Sequence, residues 1–126
     1  MKRLLTIVMG VVVCACLCSC SLSASKIQSN LTEENYSVIE MDEERLTELN
    51  KELKYSYKGS GSIITGFYAV HNETKGSITV LEFQNKNDLT LMYKIAKESM
   101  QDGEDVDLSG YILVFGDQDG VKVALN

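Results

Sequence analysis

The chain predicts one small α+β domain: a four-stranded antiparallel sheet with two helices packed on one of its faces. Three observations predict it. Apolar residues recur at spacings of three and four in two segments, over residues 43–54 and 88–101. Runs rich in β-branched and aromatic residues lie at 36–41, 63–71, 77–84 and 111–115. The chain of 126 residues, 44% hydrophobic and 24% charged, has the size and composition of one globular unit and is too short for two.

The elements follow in order. Lys26 to Glu34 predicts a brief helix with Ile27 and Leu31 on one side, and Asn35, which tolerates a left-handed backbone, ends it. Tyr36 to Met41 is the first strand. Asp42 caps a helix over 43–54, with Glu43 and Glu44 in its first turn and Lys51 and Lys54 near its end, as the helix dipole favours. Leu46, Leu49 and Leu53 form its apolar stripe. Lys58-Gly59-Ser60-Gly61 is a flexible loop. Ile63 to His71 and Ser77 to Gln84 are two strands of a hairpin whose loop is Asn72 to Gly76. Asn87 or Asp88 caps a second long helix over 88–101, burying Leu89, Met92, Ile95, Ala96 and Met100. Asp102 to Ser109 reads as an acidic loop, and Tyr111 to Phe115 as the last strand. Beyond Gly116, Asp117 caps a short helix carrying Val121, Ala124 and Leu125, or Asp119-Gly120 turns a hairpin. The helix is preferred because the sheet needs no further strand.

The resulting β-α-β-β-α-β order, after a leading helix, resembles the ferredoxin-like split βαβ arrangement. The resemblance is one of element order alone. Right-handed crossovers would then put both long helices on one face of the sheet.

The first twenty residues carry a different message. Met1-Lys2-Arg3 is basic, and Leu4 to Leu17 is an uncharged apolar run. That run is shorter than the roughly 20 residues a spanning helix needs, and it suits a signal-peptide core. Leu17-Cys18-Ser19-Cys20 resembles the lipobox of bacterial lipoproteins, with an aliphatic residue at −3 and a small one at −1. Cys18 departs from the usual Ala, Ser, Thr or Val at −2. Val13-Cys14-Ala15-Cys16 matches less well. The resemblance implies that residues 1–19 are a signal peptide and that Cys20 carries a diacylglyceryl group and a further acyl chain such as palmitate. Residues 20–25 would be the lipidated cysteine and a short tether, and 26–126 the single α+β domain. The protein would be exported and anchored on the cell membrane or outer membrane; Ser21 in place of Asp favours the latter in a double-membrane envelope. Cleavage near Ser23 or Ala24 would instead release a secreted protein.

Several functions are set aside by composition. Lys2 and Arg3 are the only charged residues before Cys20, so the remainder carries 10 basic and 18 acidic residues and a net charge of about −8. Such a domain repels nucleic acid, and no basic run with interleaved aromatics is present. The four cysteines, at 14, 16, 18 and 20, leave the domain without a disulfide, a thiolate metal site or a cysteine nucleophile. His71 is the single histidine, with only Glu73 near it in sequence, and reads as an exposed strand-end residue. No cofactor is expected. The acidic stretches holding Asp105 and Asp107, and Asp117 and Asp119, would form a weak calcium site if they met, but the EF-hand pattern is absent. Gly59-Ser60-Gly61 lacks the lysine of a phosphate loop. Acylphosphatases share the predicted element order, yet their arginine-bearing loop is missing; Arg45 is the one arginine after the leader and lies on a helix.

The strands do not alternate. Both sides of 63–70, 78–83 and 111–115 are apolar, although a sheet with helices on one face should be polar on the other. Either the leading helix or the C-terminal segment covers that face, or two copies pack sheet to sheet, or a partner or apolar ligand docks there. The last two possibilities make Tyr68, Val70, Val80 and Val114 an interaction face. The sequence thus points to a membrane-anchored, non-enzymatic binding module for a second copy, an envelope protein or a ligand. A small dimeric-barrel enzyme using His71, and an inhibitor or propeptide-like module, are the alternatives.

Overall fold

The computed structural model describes residues 22–126. It is an α+β fold in which one five-stranded antiparallel sheet is flanked on each face by a pair of helices. The helices are α1 (Ala24–Glu33), α2 (Glu43–Tyr57), α3 (Lys86–Glu98) and α4 (Gln118–Ala124). The strands are β1 (Tyr36–Glu40), β2 (Ile63–His71), β3 (Ser77–Phe83), β4 (Glu104–Ser109) and β5 (Ile112–Asp117), in the spatial order β1-β2-β3-β5-β4.

Most boundaries follow from the capping chemistry. Asn35 takes φ 70° and turns the chain out of α1. The Asp42 carboxylate accepts the Arg45 amide at 2.8 Å and starts α2. α2 runs three residues beyond the expected end, because Lys58 closes it in the left-handed conformation at φ 62°. The cap of α3 is Asn85, not Asn87 or Asp88: its side chain accepts the amides of Asn87 at 2.7 Å and Asp88 at 3.3 Å. Asp117 caps α4, so the C-terminal segment is helical as preferred.

The four-stranded ferredoxin-like layout is corrected in two ways. The stretch expected as an acidic loop is β4, an edge strand whose Val106 is buried and whose Asp105 and Asp107 carboxylates accept the amides of the residues that follow them. Charge on an edge strand discourages pairing with other chains, and here it hid the period-two pattern. Second, β1 lies beside β2 in antiparallel register, Val38 opposite Ala69, so no strand separates the two. Chain reversal through α2 replaces the split crossover.

Two cores result. α2 and α3 share one face, as expected, where Leu53, Leu89 and Ala96 pack on Ile63, Leu81, Phe83, Val106 and Leu113. α1 and α4 close the other, where Ile27, Leu31, Val121 and Ala124 pack on Phe67, Ala69, Ile78, Val80, Ile112 and Val114. This explains the missing alternation: the sheet is buried on both sides, and the leading helix and C-terminal segment cover the second face. Leu22 belongs to this core as well. Its side chain packs there and its amide donates to Ser109 Oγ at 2.8 Å. The ordered domain therefore begins before Lys26, inside the expected tether.

Candidate functional site

The four strand residues singled out as an interaction face do not share one surface. Cys20 and the whole leader lie outside the described residues. Val80 and Val114 are 1% and 0% exposed beneath α1 and α4 and offer nothing to a partner. Tyr68 and Val70 point to the opposite face, because directly paired residues share a face and Tyr68 pairs with Thr79, not with an Ile78-side residue. There the Tyr68 hydroxyl accepts from Arg45 Nε at 3.0 Å on α2. The sheet-to-sheet packing required by a dimeric barrel has no open face, since helices occupy both.

Nor do the acidic stretches assemble a metal centre. Asp105 and Asp107 sit on edge strand β4, and each accepts the amide of the next residue at 2.8 Å. Among the described residues no three His, Cys, Asp or Glu side chains are grouped closely enough to hold a metal ion. The glycine-rich loop is not flexible but pinned. Asp88, only 2% exposed, accepts from the amide and hydroxyl of Ser60, both at 2.8 Å, and from the amide and hydroxyl of Ser62 at 2.9 and 2.7 Å. Burial alone would push its carboxyl up, but these four bonds outweigh it and hold it below the ordinary range. That role is structural.

What the fold does assemble is a cleft at one end of the sheet. Tyr36 opens β1 and stands opposite His71, which closes β2. Their rings meet edge to face, 5.0 Å apart at 86°. The hairpin after β2 curls back so that His71 Nδ1 accepts the amides of Glu73 and Thr74, both at 3.1 Å. In the neutral ring Nε2 then carries the proton and is a donor. From the other side, β5 runs into α4 through Asp117, whose carboxylate accepts the Gly120 amide at 3.3 Å. Gly120 lets the helix approach: a Cβ there would lie 3.1 Å from the Tyr36 hydroxyl and 2.6 Å from Ile78 Cγ2. Glu34, Thr74, Asp119 and Val123 complete a cleft of about 150 Å³. A wider hollow of about 340 Å³ adjoins it, sharing Glu34 and Val123 and adding Asn30, Glu33, Lys122 and Asn126.

The electrostatics of the cleft are lopsided. Three carboxylates line it and no lysine or arginine does. None of the three forms a salt bridge among the described residues, where the one ion pair is Arg45 with Glu48. Tyr36 is 6% exposed, and its hydroxyl has no hydrogen-bond partner among the described residues. Its phenol is pushed above the ordinary value, first by burial and then by the charges of Asp117 and Asp119. With no protein partner among the described residues, the hydroxyl is open to a hydrogen bond from whatever enters the cleft. It holds no serine or cysteine nucleophile, and the Thr74 hydroxyl already accepts the Gly76 amide at 3.2 Å. The arrangement can bind and orient a polar molecule. Sequence reasoning found His71, Asp117 and Asp119 but read them apart. Tyr36 and Glu34 were missed, because only the β1–β2 register brings position 36 to position 71.

Comparison with protein-family models, curated proteins and solved structures finds no match for this chain. Among the described residues, no helix is long and apolar enough to cross a membrane.

Proposed function

We propose that the chain is an exported bacterial lipoprotein whose α+β domain is held at the envelope surface by acyl chains on Cys20 and acts there by binding, not by catalysis. The observation that carries the anchoring is the sequence Leu17-Cys18-Ser19-Cys20 behind a basic start and a 14-residue apolar run. Two or three acyl chains suffice for a stable anchor, at about 0.8 kcal/mol for each buried CH₂. The net charge makes direct adsorption of the domain to anionic lipid unfavourable, so attachment rests on the acyl chains.

Binding in preference to catalysis is supported by the cleft. Its histidine has Nδ1 committed to the hairpin amides and so is not placed to take a proton through that nitrogen, and no serine or cysteine lines the cleft with it. The contact surface accordingly lies at the Tyr36–His71 end of the sheet and not on the strand face of Tyr68, Val70, Val80 and Val114.

Expression of the full chain in a lipoprotein-processing bacterium tests the anchoring. The mature protein should begin at Cys20, carry acyl mass and sediment with membranes, and Cys20→Ser should abolish both the mass and the sedimentation. A mature protein starting at residue 24 without acyl mass, free in the medium, overturns the reading.

A further inference from the structure

The geometry points to the Tyr36–His71 cleft as a binding site for a primary alkylammonium group, supplied by a small free amine or by a lysine side chain of a peptide. This rests on the binding role proposed above and not on the anchor.

Charge gives the sign of the ligand. Glu34, Asp117 and Asp119 line the cleft without a basic residue among them or a salt bridge to neutralise them. The nearby cations are engaged or displaced: Lys75 Nζ donates to the Asn72 carbonyl at 3.0 Å, and Lys122 lines the adjoining hollow instead. Among the described residues no three carboxylates or other metal-ligating side chains gather closely enough to hold a metal ion. An ammonium group differs from a metal ion in this respect. Its three N–H donors reach separate acceptors, and it needs no tight shell of oxygens.

The buried hydroxyl of Tyr36 is the second, independent observation. It lies against Gly120, within the field of Asp117 and Asp119 and without a partner among the described residues, on a residue that is 6% exposed overall. A phenol oxygen can accept one ammonium N–H while its own proton turns to a carboxylate, which satisfies both. The shape sets the rest of the ligand. A cavity of 150 Å³ takes a molecule of about benzene's size, which is the ammonium group and four or five carbons. The Tyr36 and His71 rings and Val123 supply apolar wall for the alkyl stem, and the adjoining hollow gives it an exit.

His71 makes the test direct, since the chain has a single histidine whose ring protons report on the cleft alone. The full chain in detergent micelles is titrated with butylamine at pH 7 and the imidazole resonances are followed by NMR. A saturable shift is expected, with a dissociation constant of about 1 mM or tighter. Tyr36→Phe and Asp119→Asn should each weaken binding by about tenfold, the worth of one hydrogen bond to a charged group. Asp119 is exposed, so its substitution leaves the fold intact even if Tyr36→Phe disturbs the core. A lysine-containing peptide that binds more tightly than butylamine, and loses binding on acetylation of its lysine, identifies a protein source; the reverse order identifies a free amine. No saturable shift with either probe, or an equal shift with butanol, overturns ammonium recognition. A shift with butanol would leave a binding role standing, and the acyl measurement on Cys20 is unaffected in every case.

Discussion

Asp88 is the one buried charged side chain among the described residues. A carboxylate buried to 2% exposure is unfavourable by itself, and it is tolerated because Ser60 and Ser62 direct four donors at its two oxygens. Asp88→Ala would strand those donors, and should lower stability by about 3 kcal/mol, read as a fall in the urea midpoint. The pH dependence has a definite sign. The folded carboxyl lies below its unfolded value, so its contribution is present above the unfolded pKa of about 3.9 and is lost as pH falls through the folded one. Comparing urea midpoints of wild type and Asp88→Asn between pH 7 and pH 3 should show the gap closing toward acid. Tyr36 has the opposite linkage. Its folded value is raised above 10.0, so the neutral phenol supports the fold up to that range and the support is lost as pH rises through the folded value. Tyr36→Phe should therefore remove a component of alkaline unfolding.

Among the elements, the strand junction before α4 is the least forgiving. Gly116 holds φ 133°, and a Cβ there would stand 2.4 Å from the Ser77 carbonyl oxygen and 2.8 Å from Ile78 Cα. Both contacts are backbone of the neighbouring strand and cannot rotate away. Gly116→Ala should cost about 2 kcal/mol or more, measurable as a lower thermal midpoint together with loss of amide-exchange protection along β3 and β5. At this scale the sequence was largely legible. Asp42, Asn35 and Asp117 name helix ends through local hydrogen bonds, and β2 is bounded by its own β-branched and aromatic run. What escaped was the part set by distant partners. Residues 104–109 are a strand because β5 offers them an edge, with Val106 opposite Phe115, and no local run of six residues containing three acids announces that. The cleft escaped for the same reason, since Glu34, Tyr36, His71 and Asp117 meet only after β1 has found β2 and α4 has folded over the sheet.

For the molecule as a whole, the two terminal helices form one layer. Ile27 and Leu31 of α1, with Val121 and Ala124 of α4, cover one face of the sheet, and Asn30 Nδ2 ties the pair by donating to the Ala124 carbonyl at 3.0 Å. α1 is thus part of the domain and not an appendage. Leu31→Ala should cost about 2–5 kcal/mol, as for other fully buried leucines, and removal of residues 22–33 should uncover Phe67, Ile78 and Val80 and give a chain that binds a hydrophobic dye and aggregates. Survival of a monomeric, cooperatively unfolding domain after that deletion would show that the layer is dispensable.

If Cys20 carries the acyl anchor proposed above, the fastening of Leu22 to Ser109 has a further consequence. Consecutive Cα atoms are 3.8 Å apart, so a fixed Leu22 lies within about 8 Å of an acylated Cys20. Nothing that short can act as a leash. The body would ride flush on the headgroups with a restricted tilt, its reach measured by its own width, and whatever it captures would be held in the thin layer of fluid against the bilayer.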